Sequence, residues 1–362
     1  MLTVRDLQAI AVAIAVPAPA PLADTMARMQ FVQYDPIRSP ANAQDLILRH
    51  RVVGYRCGDL AQAYRRLGLE EDYLHVYGAM TRRLRQLVHP RLDAAPPGPT
   101  GLASEVLAAV RRDGPLSARD VAVRVGQERA RNDWGGMSAA STRGLEELQY
   151  RGLVRVAHRA GGVKVFEAAI PPVAALSPEE RMRGVALHLV GSLAPLPHAS
   201  LREALAQARR HAGLTADPMS AVAALLAEGG VEAHVVDGTQ YLVPVGTVPP
   251  PADACEDTVR FVAPFDPLVW DRRRLALVWD WQYRFEAYTP LPKRRFGYYA
   301  MPIFFRDQPV GWVNLRRTPG GVFHPDDRYR TARPRGSCYR RAFEQEVDRI
   351  RVFLGDDEPS RA

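Results

Sequence analysis

The run Met29-Gln30-Phe31-Val32-Gln33-Tyr34-Asp35-Pro36-Ile37 holds the residues best suited to chemistry. Pro36 biases Asp35 away from the helical region towards an extended backbone. If Gln33 to Asp35 is extended, Gln33 and Asp35 project to one side and Tyr34 to the other. A carboxylate and an amide then lie side by side, backed by an aromatic ring that can pack. Such a pair can hold and activate one water molecule. The same residues have a plainer use, because Asp35-Pro36 can simply start a turn or cap a following helix.

A second group lies towards the C-terminus. It comprises Phe265-Asp266-Pro267-Leu268-Val269-Trp270-Asp271-Arg272-Arg273-Arg274, then Tyr283-Arg284-Phe285-Glu286-Ala287-Tyr288-Thr289-Pro290, then Lys293-Arg294-Arg295-Phe296-Gly297-Tyr298-Tyr299. Basic residues interleaved with aromatics suit phosphate contact combined with stacking on bases. The alternative is a packed β-structure with a solvated basic rim, in which Asp271 pairs with Arg272 to Arg274 and Glu286 with Arg284. Asn132-Asp133-Trp134-Gly135-Gly136 is expected as an ordered, DNA-facing loop between helices.

Other chemistries find no support. There is no GxxxxGK[ST], GxSxG or HExxH, and the nine histidines show no ligand spacing. Cys57, Cys255 and Cys338 are far apart, so neither a disulfide framework nor a zinc finger is indicated. No metal and no organic cofactor are expected. The net charge is +8, and only Lys164 and Lys293 are lysines, so nearly all the positive charge is arginine. Arginine binds phosphate in a bidentate fork, which suits nucleic acid, although an arginine-biased genome yields the same composition. The apolar run Leu7 to Val16 is too short to span a bilayer, and no signal-peptide pattern precedes it. The expectation is a cytoplasmic, nucleoid-associated monomer with no membrane partner.

Proline clusters at 17–21, 96–99, 171–172 and 249–251 punctuate the chain, and the last three define four segments. The second is the most legible. Leu102 to Arg112 reads as a helix. Ser117 caps a short helix over Ala118 to Val125 with Asp120 as a partial capping box. Ser138 opens a third helix, and strands at Leu153 to Val156 and Val163 to Phe166 flank Gly161-Gly162. Three helices followed by a hairpin is the plan of a winged helix. The third segment repeats it, with helices at Pro178 to Val190, Ser200 to Arg210 and Pro218 to Glu228. Strands follow at Val231 to Val236 and Gln240 to Val243, around Asp237-Gly238. The first segment reads as mostly helical: Val4 to Ala15, Leu22 to Met29, Asn42 to Arg51 and a Tyr-rich stretch Asp72 to Tyr77. The fourth reads as short strands at Val259 to Val262, Arg284 to Tyr288, Tyr298 to Phe304 and Val310 to Leu315. A C-terminal helix from Tyr339 to Leu354 closes them.

These motifs together resemble the YcaQ/AlkZ-like crosslink-repair DNA glycosylases, often described as winged-helix DNA-binding proteins. The resemblance covers essentially the whole chain. It is carried by Gln33-Tyr34-Asp35-Pro36-Ile37, by Asn132-Asp133-Trp134-Gly135-Gly136 with Thr142-Arg143-Gly144-Leu145-Glu146-Glu147-Leu148, and by Pro264-Phe265-Asp266-Pro267 through Tyr299. It implies an α+β fold of three tandem winged helices followed by a small β-barrel. The corresponding segments are 1–95, 100–170, 174–248 and 255–362. It implies Gln33 and Asp35 as the catalytic pair, in the Asp form of the family's Gln–hydrophobic–Asp/Gln pattern, with Tyr34 as an aromatic departure. That form resembles the broader-specificity branch, acting on N7-alkylated guanines and interstrand crosslinks. Double-stranded DNA with alkylated or crosslinked bases is the expected partner. Arg38, Arg272, Lys293, Arg294, Arg295 and Tyr298 are the expected DNA contacts. A monofunctional glycosylase follows from the scarcity of amines able to form a Schiff base. The competing expectation is a non-enzymatic winged-helix regulator or adaptor.

Overall fold

The computed structural model describes residues 2–91, 98–126, 129–131, 137–170, 176–251, 256–317 and 323–356. The first helix, Val4–Ala15, starts at a reciprocal cap. The Thr3 hydroxyl accepts the Asp6 amide at 3.2 Å, and the Asp6 carboxylate accepts the Thr3 amide at 2.7 Å. Such caps satisfy backbone donors that the helix itself cannot, and are worth about 1 kcal/mol. Leu7, Ile10, Ala11 and Ala15 fall at helical spacing and are buried.

Contacts gather the chain into two compact units, each assembled from separated stretches. One holds Met1–Leu60, Ala186–Ala204 and Val222–Ala362; the other holds Ala61–Val185 and Leu205–Ala221.

In the first unit, Leu7, Ala11 and Ala15 enter a core with Leu268, Leu275, Trp279, Tyr283, Phe296 and Phe304. One fully buried ion pair crosses it. Arg51 donates to both carboxylate oxygens of Asp266, at 2.8 and 2.7 Å, and neither side chain is exposed. Two further Arg51 donors reach the carbonyls of Ala15 and Ile47. Asp266 also accepts the Leu268 amide at 2.9 Å and so caps the helix Pro267–Trp270. The C-terminal helix Ser337–Leu354 carries a second buried carboxylate, Glu346, which accepts from Arg49 and from the Phe261 amide.

The same unit contains an antiparallel sheet of Val231–Val236, Thr239–Pro244 and Leu196–Pro197. Asp237 and Gly238 both adopt positive φ, the geometry a two-residue hairpin turn requires. Where a barrel is expected, the structure has an open antiparallel sheet in the order Val259–Phe261, Met301–Phe305, Gln308–Arg317, Phe323–Tyr329. No closed barrel forms among the described residues. The reason is local. Arg284 to Tyr288, expected as a strand, is irregular and is held by side chains instead of a ladder. Tyr283 donates its hydroxyl to the Ala300 carbonyl at 2.6 Å, and the Glu286 carboxylate accepts the Phe296 amide at 2.7 Å. Pro267–Trp270 and Arg272–Trp279 are helices that the β-rich reading passed over. Asp271 is not an ion-pair partner for the adjacent arginines; it caps the second helix through the Arg273 amide at 3.0 Å.

The second unit matches its expected elements closely. Helices Gly101–Asp113, Ala118–Val125 and Ala140–Tyr150 precede strands Val154–Ala160 and Val163–Ala168. Val106, Val110, Val121, Leu145, Leu148 and Phe166 form their shared core. Asn132 to Gly136 lies outside the described residues. One expectation fails here. Asp72 to Tyr77 is not helical but belongs to a hairpin of Glu70–Tyr73 and Tyr77–Met80. Its three consecutive acidic residues are buried because each meets its own cation. Glu70 pairs with Arg85 at 2.6 Å, Glu71 with Arg159 at 2.6 Å, and Asp72 with Arg91, beside the His89 ring, whose pKa burial lowers to about 4. Helices Pro178–Leu193, His198–Ala212 and Pro218–Ala227 complete the expected order of the third segment. Among the described residues, no helix is long and apolar enough to cross a membrane.

Removing one member of a buried ion pair leaves the other charge uncompensated in a dry core. Arg51→Met is therefore expected to cost about 3–5 kcal/mol, read from the urea midpoint of the full chain. The double variant with Asp266→Leu should recover much of that loss.

Candidate active site

The chemistry-bearing motif begins where the helix Leu22–Met29 ends. Gln30 takes a left-handed conformation (φ 57°) and turns the chain into the strand Phe31–Gln33. Phe31 and Val32 are buried and anchor it. Gln33 is partly buried, and its Oε1 has no hydrogen-bond donor among the described residues. Asp35 is partly buried. Its Oδ1 accepts the Ile37 amide at 2.9 Å. The turn reading of Asp35-Pro36 is therefore correct for one carboxylate oxygen, while the other accepts no hydrogen bond from the described residues. Desolvation pushes the Asp35 carboxyl above its ordinary range, and the Ile37 amide offsets only part of that rise. Arg38 follows on the surface.

A cavity of about 630 Å³ opens nearby in the same unit. Ser39, four residues beyond Asp35, lines it together with the Arg294 to Tyr299 stretch and residues of two strands, including Trp312, Asn314, Arg316 and Arg328. Tyr299 belongs to the wall of this cavity and also feels the charge of Asp35. It thus links the motif to the aromatic and basic stretch.

The expected DNA contacts are placed unequally. Arg295 and Tyr298 are exposed, and Lys293 is exposed at the end of the 3-10 turn Leu291–Lys293. Arg294 spends one donor on the Thr289 carbonyl at 2.7 Å and lies over the Tyr298 ring at 5.2 Å. Arg272 points inward instead. It donates to the carbonyls of Val269 and Pro264 and stacks on the Tyr283 ring at 4.5 Å. Its guanidinium is committed to holding a turn. Arg316 and Arg328 escaped sequence reasoning. The signal for them was present, because Trp312, Asn314 and Arg316 alternate along one strand and Trp312 pairs with Arg328 across the ladder. Asp326 partners Arg328 at 2.7 Å and Arg316 at 3.5 Å, spacing two cations along the wall.

Gly297 makes this wall possible. Its φ is +128°, and an added Cβ would lie 2.3 Å from Oδ1 of Asn314. Asn314 cannot swing clear without losing its hydrogen bond to the Phe296 carbonyl, at 2.8 Å. Glu286 accepts the Gly297 amide as well, at 3.3 Å.

A family model described as DNA glycosylase AlkZ-like matches residues 26–353, a span that includes the motif and the cavity wall. The chain belongs to the AlkZ-like DNA glycosylase family. Among solved structures, the DNA glycosylase AlkZ of Streptomyces sahachiroi is similar, with a TM-score of 0.62 over 98% of this chain and 97% of that one, at 15% identity. That likeness is one of fold. Family membership makes this AlkZ-like protein a DNA repair glycosylase by class, with DNA as its substrate.

Gly297→Ala should destabilise the chain by about 1–3 kcal/mol, as expected for a side chain forced into a left-handed backbone against a fixed neighbour. Adding Asn314→Ala should relieve the clash but not the backbone strain. Urea melts of the single and double variants measure both parts.

Proposed function

We propose that this AlkZ-like protein hydrolyses the N-glycosidic bond of N7-alkylated purines in double-stranded DNA, interstrand crosslinks included, and leaves an abasic site. The observation that carries the reading is Asp35, a partly desolvated carboxylate with one oxygen fixed by the Ile37 amide, two residues from the unpartnered amide oxygen of Gln33. A purine alkylated at N7 is cationic and needs no general acid to leave. When its bond to C1′ breaks, the bonding pair goes to the base, which departs neutral. Positive charge then develops on the sugar, where the Asp35 carboxylate stabilises it. A water ordered by Gln33 and Asp35 adds to C1′ and gives its proton to the carboxylate, and from there to solvent.

Water is the favoured nucleophile because the chain offers only two lysine amines. The Lys164 ammonium lies 4.2 Å from the centre of the Tyr77 ring, and Lys293 ends an exposed turn. Monofunctional hydrolysis follows. Arg38, Lys293, Arg294, Arg295 and Tyr298 are the proposed DNA contacts, joined by Arg316 and Arg328; Arg272 is assigned to structure. The helix and hairpin order of 101–168, and the similar order of 178–244, supports winged-helix modules that grip the duplex. The protein would act as a monomer on the nucleoid in the cytoplasm. Sequence-specific binding to a single operator would favour the regulator instead.

Asp35→Asn keeps the shape and removes the charge. Single-turnover excision of N7-methylguanine should fall on the order of a hundred- to thousandfold, about 2.7–4 kcal/mol, while DNA binding survives. Gln33→Ala should cost less. Because the active form is the ionised carboxylate and its pKa is raised, wild-type excision should decline as pH falls through that raised value. An Asp35→Asn variant that cleaves like the wild type would leave the motif as a turn.

Binding should weaken steeply with salt, at a slope of about −0.9 per phosphate neutralised. Replacing Arg294 and Arg295 together by alanine should flatten that slope and weaken binding to unrelated duplexes equally. Fluorescence anisotropy over a salt series checks both expectations.

A further inference from the structure

The group that the catalytic pair leaves unexplained is Tyr299. It is 3% exposed, and its hydroxyl has no hydrogen-bond partner among the described residues. Leaving a buried hydroxyl unmet is costly, so a fold tolerates it where the group has other work. The ring is held rigidly. Phe285 meets it edge-on at 5.5 Å and Phe265 at 6.5 Å, and the two phenylalanines meet each other at 4.8 Å. Tyr299 also lines the cavity to which Ser39 contributes from the motif side.

We infer that the Tyr299 hydroxyl is a positioning group of the active site, completing with Gln33 and Asp35 a three-sided cradle for the attacking water. This rests on the catalytic reading of Asp35 proposed above. Three facts meet here. Two buried polar atoms, Gln33 Oε1 and the Tyr299 hydroxyl, each lack a partner among the described residues. Ser39, four residues beyond Asp35, lines the same cavity as Tyr299. The phenol stands against aromatic faces that fix its direction. A phenol adds a rigid neutral donor beside the Gln33 amide, where the Asp35 carboxylate can only accept. It donates to the carboxylate or to the water oxygen, while Gln33 Oε1 and Asp35 accept the water's hydrogens. Burial, the Asp35 charge and Tyr283 all hold the phenol protonated, and Arg272, stacked on Tyr283, is the cation of this aromatic layer. The hydroxyl therefore moves no net proton. It sets where the water sits and lowers the energy of the ionised carboxylate.

Tyr299→Phe in the full chain removes the hydroxyl and keeps the ring. Single-turnover excision of N7-methylguanine at saturating enzyme should fall about tenfold, the effect of one neutral hydrogen bond, with duplex affinity unchanged. The acid limb of the pH–rate profile should move up by up to about one unit as the carboxylate loses a donor. A purely structural tyrosine would leave that limb in place. Site-specific 3-fluorotyrosine at 299 tests the same point without altering packing: a stronger donor should move the limb down. Unchanged rate and limb in both variants would overturn the inference. If Tyr299→Phe fails to fold, the fluorotyrosine limb decides alone. Asp35→Asn measured alongside separates the two levels. If it is inactive while the Tyr299 variants match wild type, only the inference about Tyr299 fails; if it is active, the catalytic reading fails and takes this inference with it.

Discussion

A guanidinium sealed from solvent needs partners for its donors, and Arg51 makes four hydrogen bonds by joining parts of the chain that are otherwise remote. Its carboxylate partner, Asp266, is 215 residues away. Its other donors end on the carbonyls of the first helix and of the helix Ala43–Leu48. The forked geometry fits only one relative placement of these pieces. That placement sets the first helix in one core with Trp279, Tyr283, Phe296 and Phe304, which follow Asp266. A buried pair of this kind adds little net stability over an apolar substitute, so its value lies in orientation.

Arginine serves two different purposes in this molecule. Arg274 is fully buried, donates to the carbonyls of Leu193, Pro267 and Leu268, and burial lowers it to about 10. Arg181 holds the carbonyls of Leu87 and Val88 in the same manner. Arg272 completes a turn. Lysine could not replace these residues, because a single ammonium does not reach several carbonyls in a plane. The positive charge of the composition is thus partly internal structure, and the surface available to a phosphate backbone is narrower than a net charge of +8 suggests.

Local signals were readable where local chemistry decides. The boundaries of Val4–Ala15 and Leu22–Met29, the Ser117–Asp120 cap and the Asp237-Gly238 turn all follow from residues within a few positions of each other. Errors arose where distant partners decide. Asp72 to Tyr77 reads as helical, but it lies in a hairpin whose acidic residues Glu70, Glu71 and Asp72 are met by Arg85, Arg159 and Arg91. Arg284 to Tyr288 looks like a strand because its residues alternate, yet Glu286 takes amides from Phe296 and Gly297 in place of a ladder. At the candidate site the motif was visible from its residue types. The part contributed by Tyr299 was not, because an aromatic 264 positions downstream carries no local mark of its neighbour.

The separation of Arg51 from Asp266 also sets an order of events during synthesis. At about 5–20 residues per second, a ribosome needs on the order of ten to forty seconds to travel from one to the other. Throughout that interval the emerging chain already contains Gln33 and Asp35 but holds an arginine with no carboxylate to enter the core with. The first helix and the motif strand therefore have no settled place until nearly three quarters of the protein exists. A prematurely ended chain would be an unfolded or protease-sensitive fragment and not a loose glycosylase at large on intact DNA. The long-range pairing makes maturation of the candidate site one of the last steps of folding.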